Sequence, residues 1–521
     1  MTQDQALAIL KTGAHVFLTG EAGSGKTHII NQYTAYLREH EIDFAVTAST
    51  GIAATHIHGM TLHSWSGIGI QSALDDEALK HIAENKYVAK RIKKAQVLII
   101  DEISMLDGKI LTLVEQVCRR VRKLRRLFGG LQVVLVGDFF QLPPVSGKDK
   151  KGVEFAFDAE VWQALQPTAC YLSEQHRQED STFLAILSAI RRNEFDEGHF
   201  KSMSERMITV GELPDNMTRL YSHNVSVDSL NAAALKRLPG KVHTYVMAAR
   251  GPEALTSALI RGCLSPERLE LKEGATVMFT KNNQSAGYVN GTLGTVIGFT
   301  TDKKYPMVKT TDGMKIETAP MEWTIAEGDE VFAKITQLPL RLAWAMTIHK
   351  SQGASLDAAV MDLSQTFEYG QGYVALSRVR TLSGVHLLGV NARAFQVHPL
   401  VLEQDERFRQ ASLRAEEAYG QLSGERISEL ERNFVTVCGG KQKRVKKFKK
   451  PKKDQGVAAA DGFATLRAKH PQAYRPWIPD EETQLKKMYE RGQQLKEICE
   501  KLGRQPGGIR SRLKKLGLIP V

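Results

Sequence analysis

Short continuous apolar runs punctuate the first 180 residues: HVFLT at 15–19, FAVTA at 44–48, VLII at 97–100 and QVVLVG at 132–137. Runs without polar alternation suit strands buried on both faces, as in a parallel sheet covered by helices. Amphipathic stretches lie between them, such as THIINQYTAYLREH at 27–40, so the pattern predicts a doubly wound α/β lobe over 1–180. A polar interruption at 66–92 predicts a small projection from it. The alternation resumes over 181–410 with TRLYSH at 218–223, RLAWAM at 341–346, AAVMDL at 358–363 and GVHLLGV at 384–390, predicting a second α/β lobe. Within it, 272–335 changes to a period of two, broken by Gly, Asn and Asp turns, which predicts an inserted antiparallel β unit.

Residues 402–433 read as one charged helix, and 411–470 as a helical and basic linker. The last segment, 471–521, carries three helical patterns, with Leu495, Ile498, Cys499 and Leu502 on one face of the second. In the third, Ile509, Leu513 and Leu516 point inward and leave Arg510, Arg512, Lys514 and Lys515 outside.

Composition narrows the class. Among 521 residues, 42% are hydrophobic and 25% charged, and no apolar run reaches the length of a membrane span. MTQDQALAILK at the N-terminus has no export pattern, and the five cysteines are scattered without a CxxC pair. A reducing, cytoplasmic setting with no membrane contact is expected. The net charge of +12 is concentrated: KQKRVKKFKKPKK at 441–453 carries nine positive charges and no acid, leaving +3 elsewhere (12 − 9). Such a run is either a solvated linker or a polyanion contact.

The chemistry begins at GEAGSGKT, 20–27, between a predicted strand and a predicted helix. Gly20, Gly23, Ser24 and Gly25 allow a tight loop whose N–H groups face phosphates; Lys26 reaches the β- and γ-phosphates, and Thr27 suits Mg²⁺. VLIIDEISML ends a strand in Asp101, suited to Mg²⁺, and Glu102, suited to activating water, although acidic residues also end strands as plain solvated caps. VVLVGDFFQLPPV offers Asp138 and Gln141, a sensor of the γ-phosphate or simply a proline-stopped strand end. Arg177 in SEQHRQ and Arg378 in YVALSRVR suit charge stabilisation during phosphoryl transfer, whereas a lone arginine is ordinarily a surface ion-pair partner. Arg378 lies 352 residues beyond Lys26 (378 − 26), on the second lobe, where an arginine can couple hydrolysis to closure of a cleft.

In order, Gln5, GEAGSGKT, TASTGIAATHIHGMTLHSW, IIDEISML, VGDFFQLPPV, LSEQHRQ, KNNQSAGYVNGTLGTVIGF, AMTIHKSQGASLD and YVALSRVR make residues 1–410 resemble the superfamily 1B DNA helicases of the Pif/RecD group, most closely the Pif (petite integration frequency) family. The resemblance implies two RecA-like P-loop NTPase lobes with ATP between them, a small β-barrel inserted in the second, a short wedge in the 66–92 insertion, and 5′-to-3′ movement on single-stranded DNA. It places Gln5 against adenine and lines the ATP site with Lys26, Thr27, Asp101, Glu102, Gln141, Arg177, Gln352 and Arg378. It places Thr50, Gly51, His63 and Ser64 on the DNA strand, with Thr347, His349, Lys350, Ser351 and Gln352 in the strand-binding and coupling segment of the second lobe. Lys281, Asn282, Asn283 and Asn290 are its contact candidates on the inserted β unit.

Aromatic side chains at Trp65, Tyr221 and Trp344 can stack bases, though each is ordinarily core; Trp65 is the stacking candidate. His56, His58 and His63 lack a fourth ligand, so no zinc site is expected. The C-terminal segment, with Trp477, looks like a helix-turn-helix or Myb-like module that sets Arg510, Arg512 and Lys514 on duplex DNA, or else a three-helix module for protein contact. The combined expectation is a monomeric, nucleoid-associated ATP-dependent helicase of replication, repair or recombination, using Mg²⁺ and acting on single-stranded and partial-duplex DNA. A DNA-stimulated translocase or scaffold that separates no strands is the alternative. A phosphate-loop kinase leaves 345–380 unexplained.

Overall fold

In the computed structural model the chain divides into two units, Met1–Gln442 and Lys443–Val521. The described residues are 1–57, 59–69, 73–144, 154–173, 180–213, 217–222, 227–302, 304–327, 330–442, 477–516 and 518.

The first lobe is built on six parallel strands: β1 (Val16–Gly20), β2 (Phe44–Ala48), β3 (Met60–Thr61), β4 (Val97–Asp101), β5 (Gln132–Val136) and β6 (Thr168–Leu172), in the order β3-β2-β4-β5-β1-β6. Successive side chains face opposite sides of a strand. Phe17, Leu98, Ile100, Val133 and Leu135 therefore enter one core, and Val16, Leu18, Val97, Ile99, Val134 and Val136 the other. The phosphate loop and the Asp101–Glu102 and Asp138–Gln141 segments follow neighbouring strands β1, β4 and β5 at their carboxyl ends, where open α/β sheets bind ligands.

Within the 66–92 stretch, helices Asp76–Glu84 and Lys86–Lys94 lie against helix Gly108–Arg122 rather than standing free. Val88 and Ile92 enter the main core, and Arg122 Nη1 donates to Ile92 O and Ala95 O at 3.1 and 2.6 Å, satisfying carbonyls at the helix end.

The second lobe carries β7 (Arg219–Tyr221) and, after a long insertion, three further parallel strands. The insertion contributes β8 (His243–Val246), β9 (Ala248–Arg250), β10 (Arg268–Leu271), β11 (Thr276–Phe279), β12 (Leu293–Phe299), β13 (Pro306–Thr310), β14 (Lys315–Glu317), β15 (Met321–Glu327), β16 (Glu330–Gln337) and β17 (Leu340–Leu342). They pair as an antiparallel five-stranded sheet β14-β13-β12-β11-β17, a three-stranded sheet β15-β16-β9 and the pair β10-β8. The chain then returns to the lobe as β18 (Ala345–Thr347), β19 (Ala359–Leu363) and β20 (Val385–Val390), giving the order β18-β7-β19-β20. Inserted strands thus run from His243 to Leu342, wider than 272–335. The run RLAWAM, expected as one strand, is divided between β17 and β18. At the crossing, Ala343 N donates to Thr276 O at 3.0 Å and Arg219 N donates to Trp344 O at 3.0 Å, so one apolar run serves two sheets.

Residues 402–433 are two helices rather than one, Pro399–Gly420 and Gly424–Val437, and they dock on the first lobe instead of forming a linker. Phe408 packs against Phe17 with ring centroids 4.7 Å apart, and Ser412 Oγ accepts from Tyr171 N on β6 at 2.9 Å. Phe434 enters the opposite core with Ile9, Leu10 and Leu37.

In the C-terminal unit, helices Pro479–Glu490, Leu495–Leu502 and Pro506–Lys515 enclose Leu485, Met488, Ile498, Cys499, Leu502, Ile509 and Leu513. The Arg504 guanidinium lies 4.2 Å from the Trp477 ring and 2.6 Å from Glu481 Oε2.

Candidate functional site

The loop after β1 is shaped by its glycines. Gly20 has φ +145°, and a Cβ there would lie 2.9 Å from Leu172 O; Gly25 caps helix Lys26–Glu39 at φ +90°, a backbone that side-chain-bearing residues rarely adopt. The first-turn N–H groups thus face the loop, an arrangement that favours anions. Lys26 Nζ donates to Gly20 O and Glu21 O at 2.8 and 3.0 Å, which holds its ammonium over the loop. Thr27, the next residue, is exposed. Gln5 Oε1 accepts from Thr2 N at 2.8 Å and closes the start of helix Gln3–Lys11. Gln3, unmarked by the sequence reading, is the glutamine that reaches the loop, its Nε2 donating to Ser24 O at 3.2 Å.

At the end of β4, Glu102 adopts φ 52° and ψ 46°, a left-handed backbone that is uncommon for a side-chain-bearing residue and tends to mark functional sites. Its N–H donates to Asp101 Oδ1 at 2.9 Å. Burial pushes both carboxyls up, Glu102 to about 7; the Asp101 charge adds to the rise in Glu102, and Lys26 and Arg378 oppose it.

Hydrogen bonds continue across the cleft. Gln352, from the second lobe, donates through Nε2 to Glu102 Oε2 at 3.1 Å and to Gln141 Oε1 at 3.4 Å. Gln141 Nε2 donates to Asp138 Oδ2 at 3.3 Å, and both Asp138 oxygens accept from Arg191 Nη1 at 2.8 and 2.7 Å. Arg378 is 2% exposed; its Nε donates to Val374 O at 2.9 Å and its Nη2 to Ser377 Oγ at 2.8 Å. Lys26, Asp101, Glu102, Gln141, Gln352 and Arg378 therefore share one buried region, whereas Arg177 lies outside the described residues. Arg191 and Tyr373 were not anticipated. Arg191 falls at i+4 from buried Leu187 and i+8 from buried Phe183, so a charge on the apolar face of helix Ser181–Arg192 was the available signal.

The strand-contact candidates are more mixed. Thr50 Oγ1 accepts from Ala53 N at 3.2 Å at the start of helix Gly51–His56. Gly51 touches Gly262, the last residue of helix Glu253–Gly262 in the insertion; a Cβ on Gly262 would lie 2.5 Å from Gly51 O. Burial lowers the His63 pKa, favouring the neutral ring, and Ser64 Oγ accepts from Thr61 Oγ1 at 3.0 Å. Trp65 is not a stacking surface: it is 3% exposed, packed with Leu62, Ile68 and Val88, because its five-residue helix turns the indole into the core. Tyr221 and Trp344 are half-buried.

Lys281 Nζ donates to Glu322 O and lies 5.0 Å from the Trp323 ring centroid, and burial lowers its pKa. Asn282 Oδ1 accepts from Asn290 N at 2.7 Å, while Asn283 Oδ1 accepts from Ser285 Oγ at 2.7 Å and Ala286 N at 3.1 Å, so these amides shape their own loop. Thr347 and Ser351 turn inward too: Thr347 Oγ1 accepts from Lys350 N at 3.3 Å, and Ser351 Oγ donates to Ile348 O at 2.7 Å. His349 and Lys350 remain half-exposed between them, His349 with its pKa lowered by burial. In the C-terminal unit Arg510 and Lys514 are exposed, but Arg512 pairs with Glu482 and lies 5.9 Å from the Trp477 ring, so its charge is used within the fold. Among the described residues no group of three or more His, Cys, Asp and Glu is arranged to hold a metal.

Comparison with known proteins adds a family. The profile described as PIF1-like helicase matches residues 3–197, and that of the DNA helicase Pif1 2B domain matches 255–299. A Psychrobacter sp. (strain PRwf-1) protein named ATP-dependent DNA helicase Pif1 is 40% identical over 525 residues, covering 88% of this chain and 79% of its own. Crystal structures of Pif1 from Bacteroides are also similar. The complex with ADP-AlF4 has a TM-score of 0.68 at 30% identity, covering 78% of this chain and 96% of its own. The complex with ADP-AlF3 and single-stranded DNA has a TM-score of 0.55 at 30% identity with the same coverage.

Proposed function

Because the chain belongs to the PIF1-like helicase family, and is an ATP-dependent DNA helicase, we propose the following division of labour among its residues. The triphosphate lies along the loop Gly20–Thr27, with Lys26 at the β- and γ-phosphates and Gln5 toward the base. Glu102 takes the proton of the attacking water as its oxygen bonds to the γ-phosphorus and the bond to the β,γ-bridging oxygen breaks. Gln141 and Gln352 hold that region from either lobe, and Arg177 and Arg378 balance the charge on the transferring group.

Thr27 and Asp101 offer the oxygen donors that Mg²⁺ prefers. A site of two protein oxygens fits an ion whose remaining ligands are water and phosphate. Burial of the Asp101–Glu102 pair, with Lys26 as its nearby cation, favours an added positive charge here. When bound, Mg²⁺ supplies charge neutralisation at the phosphate oxygens.

The observation that carries this reading is the Gln352 amide bonded at once to Glu102 and Gln141. Gln352 directly follows the strand-binding segment Thr347–Ser351, and Arg378 sits on the same lobe. Closure on ATP therefore moves grip and catalysis together, and the strand advances 5′ to 3′. The 66–92 helices would part the duplex, with Thr50, Gly51, His63, Ser64, Lys281 and Asn290 along the strand. Arg510 and Lys514 of the C-terminal unit would hold duplex DNA in the manner of a helix-turn-helix. The protein would act as a monomer near the nucleoid, and no helix among the described residues is long and apolar enough to cross a membrane.

The test is ATPase activity with single-stranded DNA, duplex DNA and RNA, beside unwinding of duplexes with 5′ or 3′ tails. DNA-stimulated turnover with unwinding of the 5′-tailed substrate is expected. Failure on that substrate refutes the polarity, and turnover with no strand separation on either substrate selects translocation alone.

A further inference from the structure

The buried arginine on helix Ser181–Arg192 has no place in the division of labour above. Arg191 is 1% exposed, as is Asp138, and their closest ion-pair contact is 2.7 Å. Its Nη1 also donates to Tyr373 Oη at 3.1 Å, its Nη2 donates to Tyr171 Oη at 2.9 Å, and its guanidinium lies 4.2 Å from the Phe140 ring. Tyr373 Oη accepts in turn from Ala22 N of the phosphate loop at 3.4 Å. Tyr373 belongs to helix Gln371–Leu376 of the second lobe, and Arg378 follows it by five residues.

One guanidinium thus joins three parts that must agree during hydrolysis. Asp138 carries it to Gln141, Gln352 and Glu102; Tyr373 carries it to the helix that leads into Arg378; and the Tyr373 hydroxyl touches the loop itself. A buried ion pair is not in itself a stabilising device, because desolvation offsets its attraction. An arginine kept at this junction therefore calls for a reason beyond stability. Its remaining donor adds one: Nε has no hydrogen-bond partner and lies 4.0 Å from Glu21 Oε1 on the phosphate loop. A relative shift of about 1 Å would bring that pair to hydrogen-bond distance.

Resting on the nucleotide-site reading above, we infer that Arg191 is a positioning residue for phosphoryl transfer. With Tyr373 it locks the second-lobe helix bearing Arg378 to Asp138–Gln141 and the phosphate loop, and it completes its bond to Glu21 as the lobes close. It touches neither substrate nor the reacting atoms.

The experiment compares Tyr373→Phe, Arg191→Lys, Arg191→Met and the double variant Arg191→Met/Tyr373→Phe in the full chain. Lys26→Ala is the control, and thermal melting confirms folding at the assay temperature. Tyr373→Phe keeps the ring and removes only the hydroxyl. The expected result is a DNA-stimulated kcat about tenfold lower with KM for ATP within about twofold, the size expected for one hydrogen bond to a charged group. Arg191→Lys should recover part of the loss seen in Arg191→Met, since it keeps the charge but loses the fork. The double variant should be no slower than Arg191→Met, because both changes break one unit. Wild-type kcat in folded Tyr373→Phe and Arg191→Lys, or losses that simply multiply in the double variant, would overturn the inference. Persisting turnover in Lys26→Ala would instead overturn the nucleotide-site reading.

Discussion

A carboxyl that keeps its proton up to about pH 7 makes hydrolysis depend on pH in a definite direction. Burial raises Glu102 to about 7, and the neighbouring Asp101 charge adds to the rise. A general base works only when ionised, so its contribution grows as pH rises through that value. For one titration centred near 7, the ionised fraction is about 9% at pH 6 and about 91% at pH 8, an increase of about tenfold. The quantity to measure is kcat/KM for ATP, which reads the enzyme before nucleotide and its Mg²⁺ bind, with DNA saturating throughout. Glu102→Gln should lower turnover by a factor on the order of 10² to 10⁴ and leave the residual rate without this slope. A wild-type profile that is flat or falls between pH 6 and 8 would refute the assignment. So would a Glu102→Gln variant that keeps the wild-type slope.

Two further outcomes follow from the same geometry. Arg378→Ala should leave ATP binding within a few-fold, read by displacement of a fluorescent nucleotide, while kcat falls by about 10³ or more; surviving turnover would show that Arg378 does not act in the site. Phe434→Ala removes a nearly buried ring that packs over Gly13, and should destabilise Met1–Gln442 by about 3 to 5 kcal/mol in denaturant melts. A loss below about 1 kcal/mol would mean that helix Gly424–Val437 is not part of that core.

First-lobe strands β1, β2, β4 and β5 were legible because a strand covered on both faces leaves an uninterrupted apolar run, as VLII and QVVLV do, whereas β3 and β6 were not picked out. The same signal misled at RLAWAM, since an apolar run does not say which sheet receives it. At Trp65 the ordinary core reading holds over the stacking one, and only the turn of its short helix settles the direction of the indole. Charged stretches hid contacts as well. Helix Pro399–Gly420 is rich in Glu and Arg, yet Val401, Phe408 and Ser412 suffice to seat it. The segments around Lys26, Glu102, Gln141, Gln352 and Arg378 were readable because loop chemistry restricts residue type. Arg191 was not, because its partners come from distant parts of the chain.

Those two late helices bear on how the protein is made. The six-stranded sheet is complete in sequence at Leu172, but Phe408 fills a seat on one of its faces and Phe434 a seat on the other. Translation delivers the whole second lobe before either ring arrives. The nascent first lobe must therefore carry open apolar seats through much of its synthesis, a state that favours chaperone binding and aggregation over independent folding. The two faces of the six-stranded sheet are thus finished by rings that lie more than 230 residues beyond its last strand, so closing its cores draws late-made chain back onto early-made chain.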